Sequence, residues 1–246
     1  MSLVFNDTST YKGIVQLFEK ECGFPRGTIS GDTDRLKELA ADVNLAFDDF
    51  VQLAIQSNGT WQWDDSNQTD YPIITTNIVS GQRDYAFTSD SSGNLILDVF
   101  KVFVANSNGV FSEIKAVDVQ SDSDLSSFTD GQNTGGAPVR YDKTANGIFL
   151  DPIPNYNRTA GLKVYVNREP SYFTSSDTTK KPGVPGILHK WFVLRPAQDY
   201  ARRNTLATLP RLEIEVLRME QTIQDYFSSR IRDERQGFGL ANESNK

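Results

Sequence analysis

FDDFVQLAIQSNGTWQWDDSNQTDYPIITTNI, residues 47–78, contains the change of rhythm that decides the fold. Upstream, Leu36, Leu39, Val43, Ala46, Phe50 and Leu53 recur at steps of three and four, with Asp42, Asp48 and Asp49 between them. That spacing predicts an amphipathic helix over 34–57. Asp32 and Thr33 stand where an N-cap belongs, and Asn58-Gly59 supplies a left-handed stop. A shorter helix over 11–22 precedes it, because Ile14, Leu17 and Phe18 share a face and Gly23 follows.

From about residue 72 the period becomes two and turn residues recur at short intervals, the pattern of successive antiparallel strands. IITTNI (73–78) and RDYAF (83–87) read as a hairpin closed through Ser80-Gly81-Gln82. ILDVFKVFVA (96–105) reads as a strand, followed by a turn at Asn106–Gly109 and a strand in VFSEIKAV. Asp118 to Gly136 is polar and reads as a long loop with a short helix. PVRYDK, a turn at Asn146-Gly147, IFLDPIP and GLKVYVNREP bring the total to six or seven strands, enough for a small β-sandwich or barrel.

Helical spacing returns over 186–204, where Pro196 predicts a kink. It continues over 210–232, with Leu212, Val216, Met219, Ile223 and Phe227 on one stripe. Neither helical half can bury its stripe alone, so the chain reads as α+β: a helical bundle formed by N- and C-terminal helices, with an inserted antiparallel β-sandwich or barrel module. The expected organisation is 1–70 for the N-terminal part of the helical domain, 71–183 for the β-module and 184–232 for the C-terminal part. The patternless 233–246 forms a flexible tail.

Of the 246 residues, 38% are hydrophobic and fifteen are Phe, so a substantial core can form. The net charge of −7 argues against a uniformly basic grip on phosphates. Residues 1–136 hold 8 Lys/Arg against 20 Asp/Glu (net −12), and 137–246 hold 17 against 12 (net +5). Such asymmetry suits head-to-tail contact between copies, or simply two solvated faces of one monomer. The single cysteine excludes an internal disulfide framework. No apolar run approaches the roughly 20 residues of a membrane span, so a soluble protein made in a reducing cytoplasm is expected.

Catalytic signatures are sparse. His189 is the only histidine, and no Gly-x-Ser-x-Gly surrounds any serine. Cys and His are too few for a structural zinc site, Asp122-x-Asp124 lacks the rest of a calcium loop, and no phosphate-binding glycine motif occurs. No cofactor is therefore expected. Asp64 and Asp65 lie beside Trp61 and Trp63, which raises the possibility of a carboxylate pair with sugar-stacking rings. Neighbouring carboxylates point in different directions and rarely oppose one another across the about 5–9.5 Å that glycoside hydrolysis requires. The structural reading is favoured: Trp61 and Trp63 anchor the junction between bundle and β-module, and Asp64 caps the turn.

TWQWDDSNQTDYPIITTNIVSGQRDYAF (60–87), GLKVYVNREPSYFTSSDTTKKPGVPGILHKWFVLRPAQDYA (161–201) and a Leu/Glu/Arg-rich last helix together carry a resemblance over about 30–232. The chain resembles the head-to-tail adaptors of tailed bacteriophages, the connector or head-completion proteins (tubular tail A-like) that form a ring beneath the portal. The resemblance implies a non-enzymatic virion protein, made in the host cytoplasm and placed in the neck or tail. It implies a homo-oligomeric ring of about twelve copies, portal protein on one side, a tail or nozzle protein on the other, and no membrane. Double-stranded DNA would pass through the lumen during genome ejection without specific binding. The segment from Ser228 to Lys246 would reach the portal, with Arg230, Arg232, Arg235 and Phe238 as its contacts. The alternative is a carbohydrate-binding or tail-fibre-type module with Trp61, Trp63 and Tyr71 on an exposed face.

Overall fold

A computed structural model of the chain describes residues 2–58, 73–90, 93, 95–117, 135–144 and 146–235, of which 58 and 230–235 are described by their backbone alone. The fold is α+β, with four helices and a seven-stranded mixed sheet among these residues. The chain divides into two compact units, 1–70 with 170–246, and 71–169 between them.

The first unit holds α1 (Ile14–Cys22), α2 (Thr33–Asn58), α3 (Trp191–Arg203) and α4 (Leu209–Arg235). α1 ends at Gly23, whose φ of 77° is available to glycine without steric cost, and the Phe24 N–H reaches back to the Glu19 carbonyl at 2.8 Å. Asp32 caps α2 as expected, its Oδ1 accepting from the N–H groups of Asp34 (3.0 Å) and Arg35 (3.2 Å). α2 buries a wider stripe than its strongest period marks: Phe47 and Val51 are buried alongside Leu39, Val43 and Phe50. The extra width arises because α2 packs against both α3 and α4. Phe47 meets Phe192 at 4.7 Å between ring centroids and Phe50 meets Phe227 at 5.8 Å, so rings from three helices share one core. The Trp191 indole N–H donates to the Ala46 carbonyl at 2.7 Å.

The helix expected from 186 begins at Trp191. Leu188 N–H bonds the Pro185 carbonyl and Trp191 N–H the Leu188 carbonyl, so 185–190 is a series of turns. α3 then runs through Pro196 to Arg203. Pro210 occupies the first turn of α4, where its missing N–H leaves no helical bond unmade. The chain returns to this unit at 170, earlier than the expected 184. Phe173 is the reason: it stacks on Phe5 at 4.9 Å, and its backbone exchanges hydrogen bonds of 2.8 and 2.9 Å with the Asn44 side chain.

The second unit contains β1 (Ile73–Ile78), β2 (Asp84–Ala86), β3 (Ile96–Ala105), β4 (Phe111–Ala116), β5 (Arg140–Thr144), β6 (Gly147–Asp151) and β7 (Arg158–Arg168), in the order β1-β7-β3-β4-β5-β6-β2. All pairs are antiparallel except β4 with β5. The hairpin expected between 73–78 and 83–87 does not form: β1 pairs with β7, and β2 with β6. Alternation fixes which face of a strand is buried and leaves its partner undetermined. The β5–β6 turn also shifts, since Gly147 already pairs opposite Thr144.

The sheet must curl. β1 and β2 are its two edges, and six strand spacings would put them about 29 Å apart if it were flat. The six residue steps from Ile78 to Asp84 reach at most about 21 Å. The Tyr85 hydroxyl accepts from the Val79 N–H at 3.0 Å, tying the edges together, and Ile78, Val102, Ile148, Leu150, Leu162 and Val164 fill the concave face. No helix among the described residues is long and apolar enough to cross a membrane.

Candidate functional site

The junction residues Trp61, Trp63 and Asp64 lie outside the described residues, as do Asp65, Tyr71, Asp122, Asp124 and Phe238. Arg230, Arg232 and Arg235 fall on the last turns of α4, described by their backbone alone.

His189 is 2% exposed and wholly occupied with the backbone. Its Nδ1 accepts from the Leu3 N–H at 2.9 Å, and its Nε2 donates to the Val184 carbonyl at 2.8 Å. These bonds fix the tautomer with the proton on Nε2. Burial holds the imidazole below its ordinary range, against the pull of the bond that Nε2–H makes to the Val184 carbonyl. The ring therefore fastens the N-terminal segment to the turns before α3. Cys22 is half-buried, and burial with the charge of Glu21 pushes its thiol up to about 12, away from the thiolate that metal binding or nucleophilic attack requires. Among the described residues no group of three or more His, Cys, Asp or Glu side chains is placed to hold a metal ion.

A cleft of about 730 Å³ lies within the first unit. α1 contributes Phe18, the following loop Phe24 and Ile29, α2 Arg35, Glu38, Leu39, Ala41 and Asp42, and the end of α3 Tyr200 and Arg203. Three rings form its floor: Phe18 to Tyr200 at 5.8 Å and Phe24 to Tyr200 at 5.3 Å, both edge to face, with Phe18 to Phe24 at 6.4 Å. At the rim, Arg203 pairs with Asp42, and Arg35 pairs with Asp32 at 3.5 Å. Glu38 is exposed and has no ion-pair partner among the described residues. Aromatic floor, paired arginines and one unshared carboxylate are groups suited to holding a protein side chain.

Sequence reasoning missed the residue that shapes this cleft. Glu19, with only 2% exposure, projects from α1 beneath the 24–31 loop. Its Oε1 accepts from the N–H groups of Ile29 (2.7 Å) and Ser30 (3.0 Å), and its Oε2 from that of Gly27 (3.2 Å). Three amides solvate the carboxylate where no cation does, and they hold the loop that carries Phe24 and Ile29 in place beside the cleft. A glutamate in the last turns of a predicted helix looks like an ordinary surface residue; the one hint is its position beside Leu17 and Phe18 on the apolar face.

The chain matches no family model and no curated protein.

Proposed function

We propose that the protein is a virion structural component, an adaptor ring that joins the portal vertex of a phage capsid to the tail and forms part of the DNA channel. The observation that carries this reading is the way the chain is interleaved. Leu3 and His189 are bonded across 186 residues of sequence, so the two ends of the chain build one helical unit, and 71–169 is inserted between them as a curled sheet. A helical domain carrying a β-module is what the resemblance to head-to-tail adaptors implies. In this reading the four helices act as a bundle and the curled sheet as a small barrel.

Two further features support the reading. α4 continues for 27 residues and carries Arg230, Arg232 and Arg235 toward the chain's end, where a portal-binding segment would lie. The overall charge of −7 suits a channel past which phosphates slide without being held, since no specific phosphate grip is needed there. The portal and a tail or nozzle protein would flank the ring.

The test is the mass of the purified full chain, alone and mixed with the portal protein encoded in the same genome. Formation of a stoichiometric ring on the portal, lost on deletion of residues after Ser228, is the expected result. A chain that leaves the portal's mass unchanged at every ratio overturns the reading.

A further inference from the structure

We propose that the cleft between α1, α2 and α3 is the socket of a head-to-tail contact between copies of this chain, and that its plug is the Ile214–Leu217–Arg218 ridge of α4. The inference rests on the self-assembly in the adaptor reading and adds the surfaces that make it.

The plug is visible as a conflict within α4. Leu212, Val216, Ile223 and Phe227 satisfy the helix's apolar face against the core, yet Ile214 and Leu217 stand 53% and 63% exposed. Positions three and four apart share a helix face, so Ile214, Leu217, Arg218 and Gln221 form one ridge pointing to solvent. The socket offers the complement: a ring-lined floor open at the surface, with apolar area continuing one turn along α2 from the exposed Ala41 to Leu45, itself 65% exposed. Because the ridge is exposed, it does not fill the cleft of its own chain; a second copy can fill it.

Charge favours the same pairing. Glu38 at the socket and Arg218 on the ridge are both exposed, and neither has an ion-pair partner among the described residues. The two surfaces are different patches of one chain, so the contact is heterologous, and repetition closes a ring when the rotation allows.

Two substitutions at solvent-facing positions separate plug from socket without touching the core. Leu217→Glu spoils the ridge and leaves the cleft intact, whereas Ala41→Trp fills the cleft and leaves the ridge intact. Both full-length variants and the wild type are sized across a concentration series by sedimentation velocity, alone and with the portal protein, and circular dichroism verifies the fold. Wild type is expected to assemble and each variant to stay monomeric. Mixed in equal amounts, the two variants should give a heterodimer and nothing larger, since one good socket and one good plug remain. Glu38→Arg and Arg218→Glu should each weaken assembly at low salt and restore it when combined.

Three results overturn the inference: variants that assemble like wild type, a mixture that yields no heterodimer, or a wild type that stays monomeric both alone and with the portal. Wild type that assembles through this contact but ignores the portal leaves the inference standing and removes the adaptor reading. Variants that still form rings on the portal do the reverse.

Discussion

Replacing Glu19 by alanine should destabilise the helical unit far more than a glutamate near a helix end normally would. Its carboxylate accepts three backbone N–H groups, at 2.7 Å from Ile29, 3.0 Å from Ser30 and 3.2 Å from Gly27. Ile29 is only 6% exposed, so once the carboxylate is gone its amide has no water to turn to. An unsatisfied buried donor costs about 1–3 kcal/mol. Ser30 and Gly27 are less buried and recover part of their loss from solvent, which puts Glu19→Ala at about 2–4 kcal/mol. Glu19→Gln keeps one carbonyl oxygen for Ile29 and Ser30 but turns an NH2 toward the Gly27 donor, for a smaller loss of about 1–2 kcal/mol. Urea denaturation followed by far-ultraviolet circular dichroism measures both, with the midpoint shifted and the slope unchanged. Hydrogen exchange adds a local readout, since the Ile29 amide should lose protection more than amides in the middle of α2. A Glu19→Ala loss below about 0.5 kcal/mol, the range of ordinary surface substitutions, would refute the reasoning.

Trp191→Phe should cost about 1–3 kcal/mol through the lost bond to the Ala46 carbonyl and the space left in the core, read as a lower denaturation midpoint. Gly147→Ala should cost about 1–3 kcal/mol, because a Cβ there would stand 2.4 Å from the Tyr85 carbonyl oxygen and push β2 from β6; an unchanged melting temperature would contradict the close approach. His189 has a folded-state pKa lowered from the ordinary 6.5, so its contribution to stability is complete above about 6.5 and is lost as pH falls from there through the folded value. The difference in melting temperature between wild type and His189→Asn should shrink over that window, and a difference independent of pH would show that the imidazole does not titrate on unfolding.

The legible part of this protein was everything governed by period and local chemistry. The Leu36–Leu39–Val43–Phe50 stripe located α2 to within a residue at each end, because burial of one helix face leaves a repeat that no other element imitates. Asp32 was readable as a cap because its side chain acts on amides two and three residues away. The β3–β4 turn was equally local, with Asn106 Oδ1 accepting from the N–H groups of Asn108 and Val110, each at 3.0 Å. The pairing of β1 and β2 failed on the opposite ground. Each strand shows the right alternation, but their partners β7 and β6 lie at least 60 residues further along the chain, and nothing in a two-residue period encodes that distance. Phe173 looked like part of the β-module for the same reason; it joins the helical unit through Phe5 and Asn44, both more than 120 residues away.

By itself the sequence determined the class of the protein: two helical stretches enclosing a run of strands, an acidic first half and a basic second half, and one histidine and one cysteine, too few for the familiar metal sites. These are properties of composition and of interactions spanning a few residues. Only the tertiary structure decided that His189 fastens the N-terminal segment to the turns before α3, that the sheet curls until its edge strands are linked, and that Glu19 shapes an aromatic cleft. Each of those outcomes depends on which distant groups are brought within about 3 Å of one another, and that is set by the competition among all possible burial partners at once.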